Sequence, residues 1–125
     1  MLTGLAEGWT LEVERGPEWL FIRPNTSPGH QFDRVDLADS IWQLLDEHLV
    51  YRVVLELDNL PILNSYMIGQ LVRLKRRIAT RNGLFRIAGL HEANLDALRV
   101  SNLTGHLDHY LNRHEAVMGH VQRAK

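Results

Sequence analysis

The sequence contains no cysteine. This absence excludes disulfides, thiolate metal ligands and cysteine nucleophiles, and it fits a protein of a reducing compartment. An excess of either charge is also lacking, because 14 Lys and Arg residues stand against 15 Asp and Glu residues, which gives a formal net charge of -1. A chain so close to neutral has no global field that would attract nucleic acid or anionic lipid. Any charged surface must therefore be local.

Long apolar runs are missing as well. The most apolar region, residues 49–63, is interrupted by charged side chains and by Pro61. It falls well short of the roughly 20 apolar residues that a membrane-spanning helix needs. Residues 1–8 show no basic stretch followed by an apolar one, so we predict no secretory signal. We expect a soluble, cytoplasmic protein that does not bind membranes.

The hydrophobic pattern of the 125 residues is that of one domain in which strands and helices alternate. Strand patterns occupy residues 10–15, 18–23, 51–57 and 84–90, with a further candidate at 107–112, and residues 24–30 form a predicted loop. Helix patterns run from Asp33 or Asp36 to His48, from Asn64-Ser65 to Asn82-Gly83, from Asn94 to Leu103, and onward from about Glu115. This order predicts an α/β fold, a mixed β-sheet of four to five strands with about four α-helices packed on it.

A polar pair, Asn64-Ser65, stands where the loop after the central strand gives way to the second helix. Either side chain can serve as the helix N-cap. Open backbone N–H groups and the positive end of the helix dipole also favour an anion there, either a carboxylate or a phosphate carried by Ser65 itself. From these residues alone, a structural cap and a functional site both remain open.

The surroundings of this pair carry a family pattern. Residues 53–58 read Val-Val-Leu-Glu-Leu-Asp, residues 64–69 read Asn-Ser-Tyr-Met-Ile-Gly, and residues 82–90 begin Asn-Gly and continue as a strand. In this order they resemble the STAS domain, the family of anti-sigma-factor antagonists, stressosome subunits and the cytoplasmic domains of sulfate transporters. There, a buried strand ends in an acidic residue and an Asp-Ser-Ser/Thr-Gly-Leu-Gly motif opens the second helix. The similarity covers about residues 10–120, which implies a single STAS-like domain over residues 1–125.

The resemblance implies a non-enzymatic regulatory module without a cofactor. In antagonist members the motif serine is phosphorylated by a partner that is both kinase and anti-sigma factor, and only the unmodified form binds that partner. Carried over, Ser65 is the phosphoacceptor position, although Asn64 replaces the motif's aspartate. The expected partner is an anti-sigma factor with serine kinase activity or another STAS protein, and a homodimer is left open. The predicted partner-binding residues are Asn64, Ser65, Tyr66, Met67, Arg73 and Arg77.

The arginines of that set belong to a stripe on the second predicted helix. Arg73, Arg77 and Arg81 recur at steps of four, so they share one face. The stripe is either a solvated face or a contact surface for an acidic partner. Nucleic acid would call for aromatic residues interleaved with the basic ones, and the helix offers none beyond Tyr66. The pattern therefore argues against a nucleic-acid partner.

Other chemistry finds little support. His106 and His109 lie an odd number of residues apart on a predicted strand and so project to opposite faces, which makes a shared metal with His114 improbable, and we predict no metal. Ser65 lacks the G-x-S-x-G setting of a nucleophilic serine, and no pair of carboxylates stands at a catalytic spacing, so we predict no enzyme.

Two alternatives to a phosphorylation switch at Ser65 stay open. They are a constitutive STAS scaffold and a domain that binds a small anion or nucleotide at the same helix start without phosphorylation.

Overall fold

The computed structural model describes residues 2–6, 9–26, 36–60, 62–100, 107 and 109–119. Within them, six strands form one sheet in the order of the sequence. The strands are β1 (Leu2–Ala6), β2 (Trp9–Arg15), β3 (Leu20–Thr26), β4 (Arg52–Glu56), β5 (Leu84–Ala88) and β6 (His109–Tyr110). The helices are α1 (Leu37–His48), α2 (Ser65–Ala79), α3 (Glu92–Val100) and α4 (Arg113–Met118). Strands β1 to β3 pair antiparallel and strands β3 to β6 pair in parallel. The predicted mixed α/β sheet with four helices is thus confirmed.

The strand count is one correction to the prediction. The sheet has six strands rather than four to five, because β1 pairs antiparallel with β2. The predicted loop at 24–30 is also wrong in its first part, since β3 continues through Pro24, which lies opposite Leu11 of β2. Pairing between β3 and β4 is recorded only as far as Ile22, so the proline stands where the β4 side of β3 no longer needs its N–H. Residues 27–30 lie outside the described residues.

Several helix boundaries also differ from the prediction. Helix α3 begins at Glu92 and α4 at Arg113, each two residues earlier than predicted. Of the described residues in the predicted strand at 107–112, only the two of β6 are in a strand. The Asn112 side chain accepts the Glu115 N–H at 2.9 Å, which makes it the cap of α4. Asp36 caps α1 in the same way, through Asp39 N–H at 3.2 Å. The alternative cap at residue 33 and the predicted end of α3 at residue 103 lie outside the described part of the chain.

The two faces of the sheet are covered unequally. Alternate residues of β2 and β3 are buried with α1, α2 and α3 in the larger core, and Val53 and Leu55 of β4 point to that side. The neighbouring Val54 points to the other side, where a smaller core forms under α4 around Trp19 and Tyr110. Central strand β4 is therefore covered on both faces, as its nearly continuous apolar sequence predicted.

The topology places the start of α2 at a defined edge of the sheet. Strands β4 and β5 are parallel and α2 connects them, so α2 begins beside the carboxyl ends of the strands. Residues 57–60 and 62–64, which connect β4 to α2, lie at that edge, which is where open α/β sheets usually hold their binding sites. The carboxyl ends of α1 and α2 lie at the other end of the molecule.

Candidate protein-interaction site at the start of helix α2

Asn64 is the cap of α2. Its backbone is extended (φ -93°, ψ 174°), its side-chain oxygen accepts the Met67 N–H at 2.8 Å, and its carbonyl accepts the Ile68 N–H at 3.0 Å. The capping role therefore belongs to Asn64, and Ser65 is left as the first helical residue with an exposed side chain. The first turn carries no acidic side chain, so the positive end of the helix dipole is not offset within the helix itself.

The loop that leads into α2 is fixed from α3. Asn94, which is buried, accepts the Leu63 N–H at 2.7 Å and donates its side-chain N–H to the Leu60 carbonyl at 3.3 Å. The His91 Nε2 lies 2.7 Å from the Asp58 carbonyl oxygen. The side chain of Asn94 in α3 and that of His91, the residue just before α3, therefore hold both ends of the loop. Neither role could be predicted from the sequence, because both contacts join residues that are about 30 positions apart.

The predicted site residues separate into exposed and buried groups. Ser65 is exposed, Tyr66 is partly exposed, and the neighbouring Ile62 is 68% exposed although it is apolar. Met67 is 0% exposed and belongs to the larger core. Its side chain cannot reach a partner, so its predicted place among the partner contacts is wrong. Sequence reasoning missed Ile62, whose exposure depends on how the loop turns.

Gly69 lies one turn after Ser65 on the exposed side of α2. A Cβ added at this position would meet nothing within 4 Å, and no positive φ is recorded for it. Neither packing nor backbone conformation among the described residues therefore requires a glycine. Glycine inside a helix costs about 1 kcal/mol relative to alanine. The helix start is thus less stable than it could be, and its backbone lies open to close approach from outside.

The arginine stripe of α2 faces α1. Arg77 contacts the Asp39 carboxylate at 2.7 Å and Arg73 contacts the same carboxylate at 3.5 Å. The Arg77 guanidinium also lies 4.7 Å from the centre of the Trp42 ring, and that of Arg81 lies 5.4 Å from the Tyr51 ring. The stripe is therefore neither a purely solvated face nor wholly free for a partner, because it helps to join the two helices. Both arginines of the predicted site remain about half exposed.

A polar cluster on the other face of the sheet was not predicted. Buried Glu56 contacts Arg23 at 3.1 Å and Arg113 at 2.6 Å, and Arg23 also lies 3.4 Å from Asp58. The hydrogen bond to Glu56 raises the pKa of Arg113. A cavity of about 240 Å³ adjoins this cluster. Its carboxylates and guanidinium groups form ion pairs with one another, so we assign the cluster a structural role in fastening α4 to the sheet.

The described histidines that were considered as metal ligands, His109 and His114, have different surroundings. His109 is buried and its Nε2 accepts the Leu90 N–H at 3.2 Å. His114 is exposed on α4, and His106 lies outside the described residues. Among the residues that the structure describes, no three potential metal-ligating side chains come together. Nor does any helix in that part of the chain have the length and apolar character to cross a membrane.

Comparison with known proteins agrees with this geometry. The family model of the STAS domain matches residues 14–116. The chain belongs to the STAS domain family. No protein in the curated set of sequences matches it significantly, so the likeness to individual proteins rests on structure.

Three solved structures illustrate how well this STAS domain keeps the fold. An anti-sigma factor antagonist from Mycobacterium paratuberculosis has a TM-score of 0.72 and 16% identity over 89% of this chain and 92% of that one. A STAS domain protein from Planctomyces limnophilus gives 0.63 and 18% over 87% and 96%. The anti-sigma factor antagonist SpoIIAA in its unphosphorylated form gives 0.61 and 14% over 90% and 99%. At such identities the likeness shows the fold, and the predicted STAS architecture is confirmed.

Proposed function

We propose that this STAS domain is a non-enzymatic regulatory module of the cytoplasm that docks on a protein partner through the start of α2. The docking face consists of Ile62, Asn64, Ser65, Tyr66 and Gly69. The observation that carries the proposal is Gly69. A glycine at this helical position lowers helix stability, and no packing contact among the described residues requires it. A partner backbone that approaches the helix closely would require the absence of a side chain there. Arg73 and Arg77 continue the proposed contact region along α2 as a charged border.

The docking face has the composition of a small protein interface. Ile62 and Tyr66 offer exposed apolar surface within three residues of Ser65 in the sequence, and a mixture of apolar and polar surface is typical of such contacts. The loop beneath is held by Asn94, so little order has to be gained on binding. A preformed face of this kind lowers the entropic cost of association.

The regulation that we propose is phosphorylation of Ser65 by a partner that is both serine kinase and anti-sigma factor. A phosphate at the first helical position meets backbone N–H groups and the positive dipole end, so the domain itself tolerates it. The same phosphate adds about −1.5 to −2 charges at the centre of the docking face. Repulsion and desolvation there would dissociate a fitted partner while the fold stays intact.

A first experiment separates docking from folding. Gly69→Ala should raise the melting temperature through better helix propensity and should weaken binding to candidate anti-sigma factor kinases, as measured by isothermal titration calorimetry. A more stable protein that binds less tightly cannot be explained by misfolding. Arg76→Ala, on an exposed position further along α2, is the matched control and should bind as the wild type does. Unchanged affinity in both Gly69→Ala and Ser65→Glu would refute the docking face.

A second experiment tests the switch. The wild type, Ser65→Ala and the control Ser40→Ala are incubated with the kinase and MgATP, and intact mass is followed. We expect one added phosphate on the wild type and on Ser40→Ala and none on Ser65→Ala. Equal phosphate on Ser65→Ala would remove Ser65 as the acceptor. If no protein gains phosphate but the docking face still binds, the domain is a constitutive scaffold.

Binding of a small anion or nucleotide at the same helix start is the second candidate, favoured by the lack of acidic side chains in the first turn of α2. That turn, residues 65–68, also lacks a basic side chain to hold a phosphate, which places this candidate behind protein docking. Thermal melting with phosphate, sulfate and nucleotides separates the two, since stabilisation follows RT ln(1 + [L]/Kd). A raised midpoint at about 1 mM ligand would favour the small-ligand function.

A further inference from the structure

Leu49 ends α1 in a conformation that suits glycine. It has a left-handed backbone (φ 53°, ψ 38°), its N–H bonds the Asp46 carbonyl at 3.2 Å, and the Val50 N–H bonds the Leu45 carbonyl at 3.1 Å. Helices that end in this hydrogen-bond pattern commonly place glycine at that residue, because a Cβ in the left-handed region crowds the backbone. The Leu49 side chain is also 79% exposed. Within the described part of the chain, no packing contact offsets the backbone strain at Leu49 or the exposure of its apolar side chain.

Leu49 borders a cleft at the end of the molecule opposite the docking face. The cleft has a volume of about 400 Å³ and lies between the turn after β2, the end of α1 and the end of α2. Three of its lining residues are Arg15, Arg52 and Arg81, and Glu18 is the one carboxylate among the lining residues. Local basic charge is therefore concentrated here although the whole chain is nearly neutral.

Two of the three guanidinium groups are not neutralised by a described carboxylate. Arg52 contacts Glu18 at 3.4 Å, whereas Arg81 lies over the Tyr51 ring at 5.4 Å and makes no ion pair with a described residue. Arg15 is exposed and likewise has no ion pair within the described ranges. Exposed guanidinium groups bind carboxylates in bidentate geometry, so the charge complement of this cleft is acidic.

We propose that this cleft is a second docking surface, which takes an acidic segment of a partner protein and packs an apolar side chain of that segment against Leu49. The left-handed strain at Leu49 is unfavourable for the isolated domain and is offset when a partner side chain packs there. The solvated guanidinium groups beside it gain carboxylate partners in the same complex. Positions where a sequence breaks a local rule are expected to be functional. The surface is independent of the docking face at α2, so either proposal can fail without the other.

An acidic protein segment fits better than nucleic acid or a lipid surface. Nucleic-acid binding needs a basic groove that tracks the backbone, together with stacking aromatic residues. The cleft is confined, and its aromatic residue, Tyr51, is already covered by Arg81 and donates its hydroxyl to Asp46 at 2.6 Å. Phosphates also give an exposed leucine no partner. A membrane would require a broad apolar or basic surface, and one leucine with three arginines does not supply it.

The premise is tested by the stability of Leu49→Gly. If the leucine serves only a partner, glycine relieves the left-handed strain and should raise the melting temperature by about 3 °C. Leu111→Gly, at an exposed leucine just before α4, is the control and should show no such rise. A lower melting temperature for Leu49→Gly would show that the side chain supports the fold, which would overturn the proposal.

Binding is measured by fluorescence anisotropy with a labelled short peptide of alternating Glu and Leu residues at low salt. We expect saturable binding below about 1 mM that weakens as salt is added. Leu49→Gly and the double variant Arg15→Gln/Arg81→Gln should each lower the affinity about fivefold or more, while the control Arg76→Gln should not. No binding by the wild type would overturn the proposal. So would tighter binding of a single-stranded oligonucleotide or of phosphatidylserine vesicles with the same dependence on Leu49 and the arginines.

Discussion

Asn64 shows how one residue type can serve the fold and define the site. It stands where the family motif has aspartate, yet its amide oxygen accepts the Met67 N–H at 2.8 Å as a carboxylate would. Asparagine and aspartate are about equally good helix caps. The substitution therefore keeps the geometry of the helix start while removing one negative charge beside Ser65. Without that charge, no acidic side chain offsets the positive end of the helix dipole in the first turn of α2.

At this residue we predict that Asn64→Ala lowers the free energy of unfolding by about 1 kcal/mol, because the Met67 N–H loses its partner. Asn64→Asp should retain the wild-type stability or gain about 0.3–0.5 kcal/mol from the dipole. Asn64→Ser, which keeps a capping oxygen, is the control and should stay close to the wild type. Urea denaturation followed by circular dichroism measures all three. Equal stability of Asn64→Ala and wild type would contradict the capping role.

How far the sequence could predict individual residues depends on whether their role is local. The position before an amphipathic pattern predicts a cap at Asn64 or Ser65, and the structure assigns it to Asn64. Met67 is predicted as a partner contact by its place in the motif, but the helical phase of α2 turns its side chain into the core. The contact of Asp39 with Arg77 could not be predicted, since it joins residues 38 apart that meet only when α1 packs on α2.

Among the elements, α4 is a helix too short to be stable alone, and it depends on contacts with side chains of the sheet. It has six residues and packs on β4, β5 and β6. Arg86 of β5 donates to the Ala116 carbonyl at 2.6 Å, and its guanidinium lies 5.2 Å from the Trp19 ring and 5.6 Å from that of Tyr110. Isolated helices of this length are unstable in water, so these contacts determine whether α4 is formed.

For this element we predict that Arg86→Ala releases α4 while the larger core persists. Loss of a charged hydrogen bond and two cation–π contacts should cost about 2 kcal/mol. Hydrogen exchange should then accelerate across residues 113–118 but stay slow in α2, and Trp19 should become more accessible to a fluorescence quencher. Arg76→Ala, an exposed arginine on α2, is the control for the loss of charge. Uniform acceleration through the whole domain would contradict local release.

The sequence could predict the elements that have a hydrophobic period of their own, and it could not predict those that depend on contacts between distant residues. The hairpin of β2 and β3, strand β4 and helices α1 and α2 each carry a strong period of their own, and all were predicted. Strand β1 has a glycine at its centre and no alternation, so its strand conformation comes from pairing with β2. Arg113 and Glu56, 57 residues apart, join α4 to the central strand by a contact that no local pattern contains.

On the scale of the whole molecule, the sheet separates two ends with different character. The proposed docking face lies at the carboxyl ends of the parallel strands, and the cleft beside Leu49 lies at the other end. Between them β4 runs through the centre with both faces covered, and His109 of β6 is buried beside Leu90. A buried ionisable group at the sheet edge links the stability of the domain to pH.

The pH dependence follows from the state that the fold imposes on His109. Its Nε2 accepts the Leu90 N–H, and its Nδ1 is buried with no hydrogen-bond partner among the described residues, so the folded protein holds the neutral ring. Burial, with a smaller contribution from the charge of Arg99, lowers the pKa of His109 from its ordinary value of 6.5. In the unfolded chain His109 therefore takes up a proton near pH 6.5. In the folded protein it takes up this proton only at a lower pH.

We accordingly predict that this group costs no stability at about pH 8 and lowers the free energy of unfolding by up to about 1.4 kcal/mol per pH unit as the pH falls below 6.5, until the folded pKa is reached. His109→Gln removes the titrating ring and can keep an acceptor for the Leu90 N–H. It should be less stable than the wild type at about pH 8 but should lose less stability towards about pH 5.5, because one titrating group is gone. Urea denaturation of both proteins across this range measures the two slopes. Parallel slopes would show that His109 takes up its proton equally in the folded and unfolded states, against the buried neutral ring that the Leu90 contact requires.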